Sequence, residues 1–186
     1  ALVGGDLARA DKVGCDIVAI GAVPRGKALR RDTARPGDGI YVSGKLGGSA
    51  LGLRLMRGRA WQVHLRPRPR LELGRFLRES LRATAAMDLS DGLSLDLYRM
   101  CLASGLSAEL DREPPVFPGA SIEDALHGGE DYELLFTLPP RARPPAQFDG
   151  LPLTRIGTVR EGKPGLVRYL GRRLERGGWD HFRQRR

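Results

Sequence analysis

Apolar positions along this chain switch between two periods, and the switches divide it into alternating strand-like and helix-like stretches. DKVGCDIVAIGAVP (residues 11–24) is rich in β-branched residues and ends at Pro24, which predicts a strand closing one structural unit. RGKALRRDTARPGD (25–38) is polar and basic and ends in a Pro-Gly-Asp turn signal, so it reads as a connection between domains. GIYVSG (39–44) predicts a short buried strand. In SALGLRLMRGR (49–59), Leu51, Leu55 and Met56 recur at helical spacing. PRLELGRFLRESLRA (69–83) places Leu73, Phe76, Leu77 and Leu81 on one apolar stripe and predicts a second helix. ATAAMDLS (83–90) is the next extended entry. Leu93, Leu97, Met100 and Cys101 then predict a helix from near Asp91, capped by Asp91 or Ser90, to near Gly105. Leu134, Leu135 and Phe136 lead into a further apolar strand. The alternation predicts a layered α/β or α+β fold.

With 186 residues, 41% of them hydrophobic, the chain can bury one sizeable core, enough for one domain plus a fragment or extension. It opens on ALVGGD, with neither an initiator methionine nor a charged leader, which reads as a fragment. Cys15 and Cys101 are far apart and form no CxxC motif, so neither a disulfide framework nor a zinc site is indicated, and a cytoplasmic, reducing setting fits. No apolar run reaches the roughly 18 residues of a membrane span. The net charge of +9, with basic clusters in PRGKALRR and RLMRGRAWQVHLRPRPR, raises nucleic acid as a partner. Aromatics make up 6% of the chain and are not interleaved with the arginines, so no stacking platform accompanies the charge. An arginine-rich solvated surface is the simpler reading.

The acids carry more information. In AMDLSDGLSLDL (86–97), Asp88 and Asp91 sit three positions apart at the end of an apolar run. A helix N-terminus would stabilise one of them by roughly 0.3–1 kcal/mol. It does not account for both. Two acids near a loop with glycine beside them are a divalent-cation signal, and an all-oxygen ligand set favours magnesium. GIYVSGK (39–45) satisfies the first part of a P-loop pattern, but Ile40, Tyr41 and Val42 are strand formers and Leu46 stands where a hydroxyl should be. What remains is a strand and a glycine turn entering a helix, GKLGGSALG, which is either an anion site built from backbone amides or a plain tight turn. In HGGEDYELLFTLP (127–139), Gly128 and Gly129 permit close backbone approach, and Glu130 either faces a cleft or is a solvated turn residue. Trp179 in GGWDHF either closes a core or stacks on a ligand. His64, His127 and His181 have no mutual metal spacing, and none has the setting of a nucleophile's base.

Taken in order, GGD (4–6), ARPGDGIYVSGKLGGSALGL (34–53), HLRPRPR (64–70), AMDLSDGL (86–93), GGEDYELLFT (128–137) and GWDHF (178–182) form a series that closely resembles the thiamine-monophosphate kinase family. That family belongs to the superfamily of aminoimidazole ribonucleotide synthetase, selenophosphate synthetase and a carbamoyl-dehydrating hydrogenase maturation protein. The resemblance spans essentially all 186 residues. It implies an α/β (α+β layered) fold: the C-terminal α/β domain from about Arg35 onward (35–186), with residues 1–34 as the last strands and linker of a truncated N-terminal ATP-binding domain.

The resemblance also implies roles. Asp6, Asp88 and Asp91 correspond to magnesium ligands, Arg31 and Ser90 to ATP contacts, and Glu130 and Trp179 to thiamine-phosphate contacts. The implied activity is ATP-dependent phosphorylation of thiamine monophosphate to thiamine diphosphate, with Mg2+ as cofactor and a homodimer as the assembly. The chain departs from the family at Leu7 and Ala8, often threonines, and at Gly48, often aspartate. A relative acting on a different small molecule, a non-catalytic remnant and a basic nucleic-acid module remain the alternatives.

Overall fold

A computed structural model describes residues 3–178. The elements run β1 (Gly39–Ser43), α1 (Gly48–Leu55), α2 (Gly58–Leu65), α3 (Leu71–Glu79), β2 (Ala85–Asp88), α4 (Leu93–Ser104), β3 (Ser107–Leu110), α5 (Ile122–His127), β4 (Leu134–Leu138), β5 (Gln147–Phe148), β6 (Leu151–Arg160), β7 (Val167–Tyr169) and β8 (Arg172–Arg173). The strands form one mixed sheet in the order β2-β4-β1-β6-β3-β7-β8, with β5 added to β6. All neighbours are antiparallel except β3 and β7.

The strand period of two assigns each face its own core. On one face, Ile40, Val42, Leu135 and Ile156 pack with Leu93, Leu97, Met100 and Cys101 of α4 and with Ala125 and Leu126 of α5. On the other, Tyr41, Phe136, Leu138 and Leu153 pack with Leu73, Phe76 and Leu77 of α3. The Phe76 and Phe148 rings stack at 4.6 Å between centroids. The helices therefore cover both sides of the central strands, as a layered α/β fold requires.

The connection before β1 is tied to this sheet. Thr33 donates its hydroxyl to the Thr84 carbonyl at 2.7 Å, and Gly37 donates its N–H to the Val159 carbonyl at 2.9 Å. The buried Asp38 accepts the Arg35 N–H at 2.8 Å and the Thr84 hydroxyl at 2.6 Å.

Three sequence expectations are corrected. Residues 11–24 form no strand: the described chain is exposed from Val3 to Ala28, with Val13, Ile17, Val18 and Ile20 all more than four-fifths exposed. A strand exists only through its ladder, and no other described segment pairs with this one. The stretch 49–59 is two helices rather than one, because Met56 turns left-handed (φ 48°) and Arg57 is extended. Of its apolar positions only Leu51 is buried. The third concerns the cap of α4: its N-cap is Gly92, and neither Ser90 nor Asp91 supplies a capping side chain.

Candidate functional site

Antiparallel pairing of β2 with β4 sets Asp88 opposite Leu134. The segment leaving β2, DLSDG, therefore emerges beside the segment entering β4, GGEDYE. Their backbones continue the ladder past the strands. Leu89 donates to Glu133 at 2.8 Å, Tyr132 to Leu89 at 2.9 Å, and Glu130 to Ser90 at 2.7 Å. The approach demands glycine at 129, where a Cβ would lie 2.7 Å from the Ser90 carbonyl oxygen. Glu130 and Tyr132 are held left-handed (φ 61° and 50°), a conformation that costs a residue with a side chain and persists because the surrounding bonds impose it.

The acids of the two loops have different fates. Asp88 is exposed, and among the described residues its carboxylate has no hydrogen bond or ion pair. Asp91 is half-buried and is gripped by Arg99. Asp96, fully buried in the first turn of α4, turns one oxygen back onto the Asp91 N–H at 2.9 Å and the Gly92 N–H at 3.1 Å. Its other oxygen accepts from the same Arg99 nitrogen at 3.1 Å. Burial raises the Asp96 pKa above its ordinary value, against the lowering effect of the Asp91 N–H. Tyr132 is likewise raised, first by burial and then by the charges of Glu130, Asp88 and Asp91, so these three carboxylates share one electrostatic neighbourhood around its phenol.

On the far side of GGEDYE, Asp131 accepts the N–H groups of Gly47 at 2.7 Å and Ser49 at 3.2 Å, at the start of α1. The glycine turn does bind an anion through backbone amides, and the anion is the chain's own carboxylate. Burial nonetheless pushes the Asp131 pKa up to about 6. Gly48 lies against Phe117: a Cβ there would sit 2.9 Å from its ring, so no larger residue fits without displacing it. The buried Glu133 pairs with Arg70 of HLRPRPR and accepts the Ser43 hydroxyl at 2.5 Å. Glu130 is exposed, with one carboxylate oxygen 3.4 Å from Nδ1 of His64, which also bonds Ser49 Oγ at 2.8 Å and stacks on Trp61.

The structure thus brings Asp88, Ser90, Asp91 and Glu130 together. Among the described residues, neither Asp6 nor Arg31 makes a hydrogen bond or ion pair with any of them. Asp6 lies in the exposed stretch and, among the described residues, accepts only the neighbouring Leu7 N–H at 2.8 Å. Arg31 is exposed, and its carbonyl accepts from Ser104 at 3.3 Å. Ser104 is the last residue of α4, and the neighbouring Arg30 carbonyl accepts the Ala86 N–H at 3.0 Å, so the Arg31 backbone runs beside β2, where Ala86 precedes Asp88 by two residues. Trp179 lies outside the described residues. The chain before it passes so close to the site that a Cβ on Gly178 would meet the Asp91 carbonyl oxygen at 2.1 Å. Among the described residues no group of three or more His, Cys, Asp or Glu side chains is arranged to hold a metal ion. Sequence reasoning missed Asp96, Arg99, Asp131 and Glu133. The signal for the first two was a charged pair at i, i+3 inside the apolar LSLDLYRM.

Residues 35–169 match the family model of AIR synthase related protein, C-terminal domain. The thiamine-monophosphate kinase of Salmonella typhimurium is 38% identical over 215 aligned residues, covering 97% of this chain and 63% of that relative. The thiamine-monophosphate kinase of Aquifex aeolicus is 36% identical with the same coverage, so the chain spans 63% of the length of each of these relatives. Among solved structures, thiamine-monophosphate kinase from Stenotrophomonas maltophilia K279a superposes with a TM-score of 0.73 at 37% identity, covering 82% of this chain and 56% of that one. AaThiL complexed with AMPPCP and TMP superposes with a TM-score of 0.71 at 36% identity, covering 83% and 54%. The match over residues 35–169 places this chain in the family of AIR synthase related proteins, as a carrier of the family's C-terminal domain.

Proposed function

We propose that this chain is the C-terminal part of a thiamine-monophosphate kinase, which transfers the terminal phosphoryl group of ATP to the phosphate of thiamine monophosphate, giving ADP and thiamine diphosphate. The observation that carries the reading is the convergence of DLSDG and GGEDYE through three backbone hydrogen bonds, which sets Asp88, Ser90, Asp91 and Glu130 along one edge. Likeness to named kinases over 97% of the chain supports the substrate pair.

The chemistry needs little acid-base help. The attacking oxygen belongs to a phosphate already anionic at neutral pH, so no residue has to act as a catalytic base, and neither described histidine is asked to be one. The obstacle is repulsion between two polyanions, which positioning and fixed charge reduce. The donor set suits magnesium: Asp88 has a solvent-facing carboxylate with no partner among the described residues, and Asp91 offers a second hard oxygen from the same loop. Two carboxylates are a common protein share for an ion that fills its other positions with water and phosphate oxygens. Bound there, magnesium would neutralise phosphate charge and align the reacting oxygens.

In this reading Asp6 is a further ligand, and Ser90 and Arg31 meet the nucleotide. Glu130 and Trp179 hold the thiamine phosphate. Residues 1–34 belong with the ATP-binding domain and 35–186 form the C-terminal domain. Two copies associate as a homodimer. Cys15 and Cys101 are unpaired, which suits a reducing cytoplasm.

The test is ADP and thiamine diphosphate formation, read by 31P NMR. The chain is assayed alone and extended by the N-terminal portion of the Salmonella kinase that lies outside the match. Product from the extended chain with thiamine monophosphate and Mg2+ supports the reading. ATP turnover with other phosphate acceptors only, or none with any acceptor in a folded protein, would reject it.

A further inference from the structure

Asp96 takes no part in the chemistry above, yet it is fully buried, and a buried carboxylate needs a reason. Three groups converge on it: the N–H of Asp91 at 2.9 Å, the N–H of Gly92 at 3.1 Å and the Arg99 guanidinium at 3.1 Å. Arg99 spends the same nitrogen on Asp91, so one cation ties the loop side chain to the helix acid. The loop is therefore held by its backbone from below and by its outer carboxylate from the side. Asp88, three residues earlier, faces solvent without a partner among the described residues. On the opposite flank Leu89 and Ser90 are held by their bonds to Tyr132, Glu133 and Glu130. Remove Asp96 and the Asp91–Gly92 half of the loop loses both backbone anchors, while the β4 side stays intact.

We infer that Asp96 is a positioning residue, which with Arg99 fixes DLSDG in the one conformation that presents Asp88 and Asp91 together to a divalent cation. The inference deepens the kinase reading and rests on its assignment of these two acids. Asp96 acts through the loop and touches no reacting atom. A cap from Ser90 or Asp91 would hold the helix start equally well by consuming a side chain of the loop. An acid placed inside the helix leaves Asp88 and the second oxygen of Asp91 for other work.

Two variants separate geometry from charge. Asp96→Ala removes the acceptor, and Asp96→Asn removes the same charge but keeps one accepting oxygen. Amide hydrogen exchange on the chain, read by NMR, is expected to speed up by about tenfold or more at Asp91 and Gly92 in the alanine variant, the scale set by losing a hydrogen bond to a charged group. Amides of β4 should hardly change, and the asparagine variant should fall between. With Mn2+ alone as the probe, paramagnetic broadening in the parent chain should centre on Asp88 to Gly92, be weakened and spread in the alanine variant, and be partly restored by asparagine.

Unchanged exchange at Asp91 and Gly92 would overturn the clamp and leave the kinase reading standing. Faster exchange with identical Mn2+ responses in the two variants would show that Asp96 acts through charge alone, and would also overturn it. No broadening at Asp88 in the parent chain would instead sink the cation role in the kinase reading, with exchange still deciding the clamp. If the alanine variant does not fold, the asparagine variant decides, with faster exchange expected at both amides, because a neutral oxygen replaces the charged one that accepts from both.

Discussion

Arg70 and Glu133 lie 63 residues apart and meet through two guanidinium nitrogens on one carboxylate, with Nε 3.0 Å from Oε2. The pair joins the basic HLRPRPR stretch to the entry of β4, and the Ser43 hydroxyl on β1 completes it. The entry of β4 is thus tied down by an ion pair in which the acid is buried. Cutting one partner leaves the other charge uncompensated. Glu133→Gln is expected to cost roughly 3 kcal/mol, at the low end of what breaking a buried pair costs because Arg70 keeps some contact with solvent. Urea denaturation checks this, and a change within 0.5 kcal/mol, about that of an ordinary surface substitution, would mean the pair is not structural.

Asp131 makes stability depend on pH. Its folded pKa of about 6 lies above the ordinary 3.8, so folding favours the protonated form. Its contribution is therefore most favourable below pH 4, declines as pH rises through about 6, and is flat above that. Asp131→Asn has no such decline, so its stability relative to the parent should rise between pH 4 and 7. A difference constant across that range would show that the two N–H bonds from Gly47 and Ser49 outweigh burial. Asp124 has the opposite sign: its bond to Arg54 holds its carboxyl well below the ordinary range, so its contribution is present at neutral pH and is lost in strong acid.

Asp88→Asn and Asp91→Asn test the proposed cation loop. In the extended chain each should lower turnover by roughly 10²-fold or more, the scale of losing one preorganised charge interaction at a phosphoryl transfer site. Folding should survive at Asp88, which is exposed and unpartnered among the described residues. At Asp91 the melting temperature should also drop, because Arg99 loses one of its two charged partners and keeps only Asp96. Unchanged turnover across a magnesium titration would remove both from the cation site.

Glu130→Gln should chiefly raise KM for thiamine monophosphate and leave KM for ATP near the parent value, since the residue is assigned to the acceptor. Initial-rate kinetics with each substrate varied in turn decides this. A shift confined to ATP would move Glu130 to the nucleotide side.

Local pattern alone located β1, α3, β2, α4 and β4, because each carries its own apolar period and most are bounded by Gly or Pro signals. It also singled out Asp88, Asp91 and Glu130, since an acid beside glycine at the end of an apolar run is unusual wherever the chain later goes. It misjudged residues 11–24, because β-branched composition states that a segment could join a sheet and not whether an edge is there to receive it. It could not assign the cap of α4, because Ser90, Asp91 and Asp96 are all able acceptors and only the path of the loop decides which one faces the free N–H groups. Nor could it place the two loops side by side: DLSDG and GGEDYE stand some forty residues apart, and it is the antiparallel register of β2 on β4 that makes them neighbours. Residue types and spacing determined which chemistry this chain can carry. Which acids stand free, which are tied to arginine and which are spent on backbone amides was decided by tertiary pairing, because a carboxylate takes whichever donor the fold brings within reach.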